Sequence, residues 1–524
     1  MPTSCARNHL LKSWLLLSII AAGISAGYCA EQSDPLLELF IQKGMLTREE
    51  VNRVRAEAES IRTNAAAMPS TESKWKIANA VKSIEVYGDV RVRYEQREAE
   101  TPADTRLQLD RARVAVHVGL RGELLDDFYY GVRLETSNNP RSAWVTFGSS
   151  SSTPFGKSSY NVNFGQAYLG WRAGSWGEIT LGKMPNPLYT TSMVWDPDLN
   201  PEGAAEHLKY SIGQADFFAN FGQFLYQDNN PNYISGSLLP SVAPTPTGTR
   251  PQESTDNTFL IAWQGGVNYH LTRDISAKVA GGVYQYVGLQ KTVNKPVGYS
   301  PNGIGDDFIG EGSFGGTNSS APINGLTSQN GVSYNQVGLD HLLILEVPFE
   351  FNFNFSQITA RIFGDYAYNL EGSDRATAAV RALAAANVGV NNSPPLLRYG
   401  AQSNDRHAYQ AGLAIGSRDS IGLVTGAAYH RHGWELRGYW QHVEQYALDP
   451  NLLDSDFFEG RGNIQGVYAA LSYGLAANVT GTVRYGYGWR INDKLGTGGN
   501  NQDIPQINPI NHYSLLQIDL GVSF

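Results

Sequence analysis

The sequence predicts an all-β protein, a transmembrane antiparallel β-barrel of 16 strands, with 18 possible, behind a short N-terminal periplasmic helical segment. Three observations carry this. From residue 81 onward, apolar and polar residues alternate with a period of two. The connections between the alternating stretches are short and long in turn. The chain finishes on the alternating stretch LQIDLGVSF, with Phe524 last. A strand with one apolar and one polar flank suits lipid on one side and a watery lumen on the other. Closure into a cylinder then removes the unpaired edges that hydrocarbon does not tolerate.

Residues 1–30 read as a secretory signal peptide. Arg7 and Lys12 precede the short apolar core WLLLSIIAAGISAG, which is too brief for the ~20 residues that span a bilayer as a helix. Cleavage is expected after Ala26, Gly27 or Ala30. Both cysteines, Cys5 and Cys29, lie in this stretch, so a processed chain would have neither disulfides nor thiolate metal ligands. Residues 31–63 predict a periplasmic helical segment. Asp34 and Pro35 open one helix that Gly44 can cap. Thr47 and Glu50 stand at capping-box spacing before a second helix, where Val51, Val54, Ala58 and Ile61 form a seam suited to a hairpin or a coiled coil. Residues 64–80 read as a linker, and 81–524 as the barrel.

Within 81–524 the strands are expected at 81–95, 106–123, 128–137, 161–173, 176–183, 204–212, 216–226, 258–271, 274–287, 341–355, 357–369, 407–416, 434–446, 463–475, 478–491 and 512–524. In the first, Ile84, Val86, Val90, Val92 and Tyr94 oppose Glu85, Asp89, Arg91, Arg93 and Glu95. In the second, Val114, Val116, Val118 and Leu120 oppose Arg111, Arg113, His117 and Arg121. In the last, Leu516, Ile518, Leu520, Val522 and Phe524 oppose Gln517, Asp519, Gly521 and Ser523. Short gaps such as LLDD at 124–127 and GS at 174–175 alternate with long ones such as 138–160, 227–257, 288–340 and 370–406. That rhythm is expected of an outer-membrane barrel with short periplasmic turns, long outer loops and both termini in the periplasm. The gap 417–433 breaks it: it should be short, yet it contains IGLVTGAAYH, and pairing there would raise the count to 18.

Composition narrows the function classes. The 55 Gly, 28 Tyr and 10 Trp suit many strands and tight turns. A net charge of −9 without a long basic run argues against nucleic acid as a partner. Asp196, Asp198 and Asn200 have calcium-loop spacing, but Pro201 stands where that loop needs glycine. Gly310, Gly312 and Gly315 form a GxGxxG without the strand and helix a nucleotide site requires. No motif calls for a cofactor or a metal, and none supplies catalytic residues. The alternative to a channel is a structural or adhesive barrel protein, or, less favoured, a barrel enzyme.

A barrel of this strand number leaves an aqueous channel, whose lining charges set selectivity. Candidate lining residues are Arg91, Arg93, Arg111, Arg113, Arg121 and Arg133 on the first three strands, with Asp196, Asp198 and Glu202 in the third long loop, WDPDLNPEG. The same arginines can instead pair with Glu85, Asp89, Glu95 and Glu135 along the wall. Tyr129, Tyr130, Trp171, Trp176, Trp434, Trp440 and Trp489 lie near strand ends, as in an interfacial girdle.

Five stretches resemble the putative-porin family of Gram-negative outer-membrane proteins: DPLLELFIQKGMLTREEVNRVRAE, LDRARVAVHVGLRGELLDDFYYGVRLETS, GKMPNPLYTTSMVWDPDLNPEGAA, FGDYAYNLEGSD and DSDFFEGRGNIQGVYAALSYGLAANV. The resemblance implies a barrel embedded in outer-membrane lipids and passive transport of small hydrophilic solutes. The end on Leu520, Val522 and Phe524 is similar to the signal read by the barrel-assembly machinery. General porins fold their third loop into the channel and assemble as trimers. By that analogy the acidic loop would face the early arginines across a constriction, in a homotrimer.

Overall fold

The computed structural model describes residues 79–524 apart from 101–103, 105, 138–141, 149–160, 228–256, 289–340, 378–404, 426–429, 494–496 and 498–509. The signal peptide, the helical segment, nearly all of the linker and the Gly310–Gly315 motif lie outside the described residues. Residues 79–524 are the second of two units into which the chain divides.

The second unit is one closed antiparallel sheet. Its strands are β1 (Glu85–Glu100), β2 (Arg106–Glu123), β3 (Phe128–Ser137), the two-residue β4 (Val145–Thr146), β5 (Asn161–Ala173), β6 (Gly177–Lys183), β7 (Glu202–Ile212), β8 (Ala215–Gln227) and β9 (Thr258–His270). They continue with β10 (Ile275–Val287), β11 (Leu343–Asn354), β12 (Ile358–Asn369), β13 (His407–Ser417), β14 (Trp434–Val443), β15 (Ile464–Ala476), β16 (Val479–Arg490) and β17 (His512–Ser523). Leaving aside β4, which only borders β2 at Arg113 and Val114, sixteen strands form the wall. The expected eighteen-strand variant is not formed. In the 418–433 connection the described residues make a 3-10 turn at Leu423–Thr425 and belong to no strand.

Each strand pairs its neighbour in sequence, and β1 closes on β17. That seam runs in register from Asp89 opposite Ser523 to Glu100 opposite His512. At its lower end Gly88 and Phe524 exchange two backbone hydrogen bonds of 3.0 Å. A Cβ at Gly88 would stand 2.8 Å from the Phe524 ring, so the glycine makes room for that aromatic. The short connections use residues that accept positive φ: Asp126 and Asp127 after β2, Gly174 after β5, Gly213 after β7 and Asn478 after β15.

The apolar flank of the strands points outward. Val86 is 60% exposed, Leu413 57%, Ile518 47% and Val522 43%, while Glu95 and Gln517 on the opposite flank are 0% exposed. A water-soluble sandwich would show the reverse. No helix among the described residues is long and apolar enough to cross a membrane; the exposed apolar belt is carried by strands. Within the aromatic girdle, Tyr129 departs from the expected outward position: it shares the inner flank with Arg133 and bonds Thr180 Oγ1 at 2.6 Å.

The inner flank is not uniformly polar. Near the long-loop ends of β8 to β14 it carries Phe224, Leu260, Ala262, Tyr284, Ile344, Ala367, Ala408 and Val443, all buried. They are covered by Met184, Leu188, Met193, Val194 and Trp195 from the third long loop (184–201) and by Ala447, Leu448 and Leu453 from the seventh (444–463). Burying such side chains contributes roughly 1.5–3 kcal/mol each. This is what folds both loops into the cylinder instead of leaving them over its mouth.

Candidate functional site

The third and seventh loops meet inside the lumen and lock together through their backbones. Asp196 N donates to Leu452 O (2.6 Å) and Asp454 N to Ser192 O (3.2 Å). The Asp196 carboxylate accepts from the backbone N–H of Asp198 (2.9 Å) and of Ser455 (3.0 Å). The third loop is also tied to the opposite wall: Thr190 and Thr191 donate to the inner-face carboxyl groups of Glu346 and Asp365, the latter bond being 2.6 Å.

Opposite these loops stands a belt of arginines supplied by β1, β2, β14 and β16. Glu95, fully buried, sits at its centre, with Arg97 Nη2 at 3.0 Å, Arg113 Nη1 at 3.7 Å, Arg93 Nη1 at 3.8 Å and Arg111 donating to its Oε1. Arg93 also forms a two-pronged pair with Asp519 at 2.7 and 2.9 Å, which Arg484 shares. The seventh loop completes the belt. Asp456 Oδ1 lies 2.9 Å from Arg93 Nη1 and 3.8 Å from Arg97 Nη2, and Glu459 lies 3.3 Å from Arg97 Nη1. Arg93, Arg97, Glu95 and Glu459 have almost no exposed side-chain surface, whereas the Asp456 side chain is 36% exposed. Asp456 is therefore the acid of this network that water can reach.

Between belt and loops lies a cavity of about 250 Å³, lined among others by Arg91, Arg93, Arg437, Arg484, Asp198 and Asp456. Trp144 of the second long loop roofs part of it, with the Arg93 guanidinium 4.0 Å and that of Arg91 5.1 Å from its ring centre. Such cation–π contacts hold a guanidinium flat against the wall. The third loop does come close to the early arginines: Asp196 and Asp198 border the same cavity as Arg91 and Arg93.

The nine expected lining residues divide as follows. Arg91, Arg93, Asp196 and Asp198 border this cavity, but Asp196 is 2% exposed and its oxygens are held by backbone donors. Arg111 and Arg113 stand behind, on Glu95. Arg121 pairs with Glu85 (2.7 Å) and Arg133 with Glu135 (3.0 Å) along the wall. Glu202 is not on the lumen side. It shares its flank of β7 with the exposed Leu208, Tyr210 and Ile212, and it pairs outside the barrel with Lys183 at 2.6 Å. The period-two rule places it there; reading it as part of the loop hid that parity.

Trp144, Asp456, Glu459 and Arg97 were missed. Their signal is weak in sequence, because loop residues carry no period. The one hint is DSDFFEGRG itself, where Phe457 and Phe458 stand beside four charged residues and so need an interior to enter. Phe457 fills the space left by Gly486, where a Cβ would come within 2.3 Å of its ring.

A family model described as Putative porin matches residues 48–508. No curated protein matches the chain. Among solved structures, an anion-selective porin from Comamonas acidovorans is similar at 10% identity, over 84% of this chain and 99% of that one, with a TM-score of 0.41. OprB of Pseudomonas putida is similar at 9% identity, over 84% and 94%, with a TM-score of 0.42. OmpT of Vibrio cholerae is similar at 10% identity, over 86% and 99%, with a TM-score of 0.37.

Proposed function

Because this chain belongs to the Putative porin family, we propose that it works as a passive outer-membrane channel whose narrowest zone is built jointly by the third and seventh loops. The carrying observation is the cavity with charge on both sides: Arg91, Arg93, Arg437 and Arg484 from the wall, Asp198 and Asp456 from the loops. Opposed charges across a narrow water-filled gap orient polar solutes and strip little of their hydration. Apolar solutes gain nothing from such a gap. In this reading Asp456 takes the part that sequence spacing gave to Asp196, and Glu202 has no part. The protein has no catalytic role.

Both termini are placed in the periplasm, which is supported by β1 starting and β17 ending at the barrel end that carries the short turns. The barrel-assembly machinery is taken to read the Leu520, Val522 and Phe524 flank. A trimer is carried over from general porins. Planar-bilayer recording of the purified protein tests the central claim: stepwise conductance supports it, and repeated absence of steps refutes it. Chemical cross-linking in native membranes tests the trimer.

A further inference from the structure

Short turns at the lower end of the barrel need two to four residues, yet β13 and β14 are joined by sixteen, 418–433. A connection of this length at a barrel mouth is expected to lie in solvent. Instead Ser420 and Leu423 are 0% exposed and Val424 is 7% exposed. The segment is tied to inner-face side chains: the Glu435 carboxylate accepts from Gly422 N, and Arg484 Nη2 donates to Val424 O. Ser420 Oγ bonds Ser417 Oγ (2.6 Å) and His430 Nε2 (3.1 Å), which closes the segment back on its own base.

It also borders two separate lumen spaces. Val424 lines the 250 Å³ cavity together with the wall residue Arg93 and with Asp198 and Asp456, which arrive on loops from the opposite end of the barrel. Asp419 and Ile421 line a second space of about 570 Å³ with Ser276, Asn352, Asn354, Thr359 and Arg361 of β10 to β12.

We propose that residues Asp419–Val424 of the β13–β14 connection are a second restrictor, entering from the short-turn end and meeting the two outer loops at the constriction, so that they set the upper size of permeating solutes. This rests on the channel reading above. Arg484 couples the restrictor to the arginine belt, since the same guanidinium holds Asp519 and the Val424 carbonyl. Past the restrictor, a solute passes into the polar 570 Å³ chamber, whose amides and hydroxyls can replace water around it.

The test compares the intact protein with a variant in which 418–433 is replaced by Asn-Gly, in planar bilayers and in liposome swelling with sugars of increasing size. The shortened turn is expected to raise single-channel conductance roughly two-fold or more and to admit larger sugars, since conductance follows open cross-section. Equal conductance and an equal sugar cut-off overturn the proposal. A second variant covers failure of the first to fold: Val424→Cys in a Cys5→Ser, Cys29→Ser background, treated with a negatively charged methanethiosulfonate from the short-turn side. A stepwise fall in conductance supports the proposal, and unchanged conductance after verified labelling overturns it. An intact protein that is silent but opened by the shortened turn also supports it. Silence of both forms sinks the channel reading itself, which is a different result from two equal conductances.

Discussion

Neutralising Asp456 should move ion selectivity toward anions, by an amount that the cavity dimensions bound. A space of about 250 Å³ is equivalent to a sphere of radius ~4 Å, so a hydrated ion at its centre lies ~5 Å from the Asp456 carboxylate. In water-like surroundings one unit charge at ~5 Å is worth ~0.8 kcal/mol, and screening at 0.1 M salt trims this to ~0.5 kcal/mol. The sign is opposite for cations and anions, so the anion-to-cation permeability ratio should rise by ~1 kcal/mol, or about five-fold. At 1 M salt, where the screening length is about 3 Å, the rise should shrink to below about two-fold. The assay is the reversal potential of Asp456→Asn under a salt gradient at both ionic strengths. An unchanged ratio at 0.1 M would refute the placement of Asp456 in the permeation path. A shift independent of salt would refute the electrostatic argument. Asp196→Asn is the control, expected to loosen the loop pairing without a comparable selectivity change, because its oxygens face backbone donors.

Three further outcomes follow. Glu95→Gln removes the acid that holds Arg93, Arg97, Arg111 and Arg113, and should cost about 3–5 kcal/mol, read as a lowered urea midpoint for unfolding from lipid vesicles. Burial, with the Asp456 charge beside it, pushes Asp454 up to about 6; released from the wall, its carboxyl ionises near ~4. The seated seventh loop therefore holds a proton that the released loop has lost, so seating weakens as pH rises through that window. Burial raises Asp456 as well, but Arg93 and Arg97 outweigh it and hold that carboxyl well below the usual range, so it stays ionised throughout the window. Protease cleavage within 444–463 should increase between pH 4.5 and pH 7, and Asp454→Asn should flatten that rise. Finally, Phe524→Ser, which removes the ring over Gly88, should lower the amount of heat-modifiable barrel recovered from outer membranes while leaving secretion intact.

The wall was legible because a strand side chain has only two directions, and the apolar partner of each pair declares which way the lipid lies. β2, β3 and β5 fall where the alternation put them, at Arg106–Glu123, Phe128–Ser137 and Asn161–Ala173. Parity also contained the answer for Glu202, through Leu208, Tyr210 and Ile212. The loops were less legible. The inward course of 184–201 could be expected by analogy, but its partner 444–463 could not, because the residues that bind them belong to inner-face positions such as Leu260, Tyr284 and Ile344. An apolar residue on the lumen flank states that something covers it and says nothing of what does. The 417–433 stretch illustrates the same limit: IGLVTGAAYH is apolar enough for a strand, yet its residues Leu423–Thr425 form a 3-10 turn that packs against β14 and β15 instead of joining a ladder.

The β1–β17 seam has a consequence for how the molecule comes into being. Every other wall contact links strands adjacent in the chain, so hairpins can form one after another as local events. The seam alone joins segments separated by more than four hundred residues, from Asp89 to Ser523. Until it zips, the nearly finished sheet has two sticky borders, each a template for the other or for a neighbouring molecule. Weakening this one ladder should therefore show itself less in the finished protein than in crowded assembly, as tangled dimers whose yield grows with expression level.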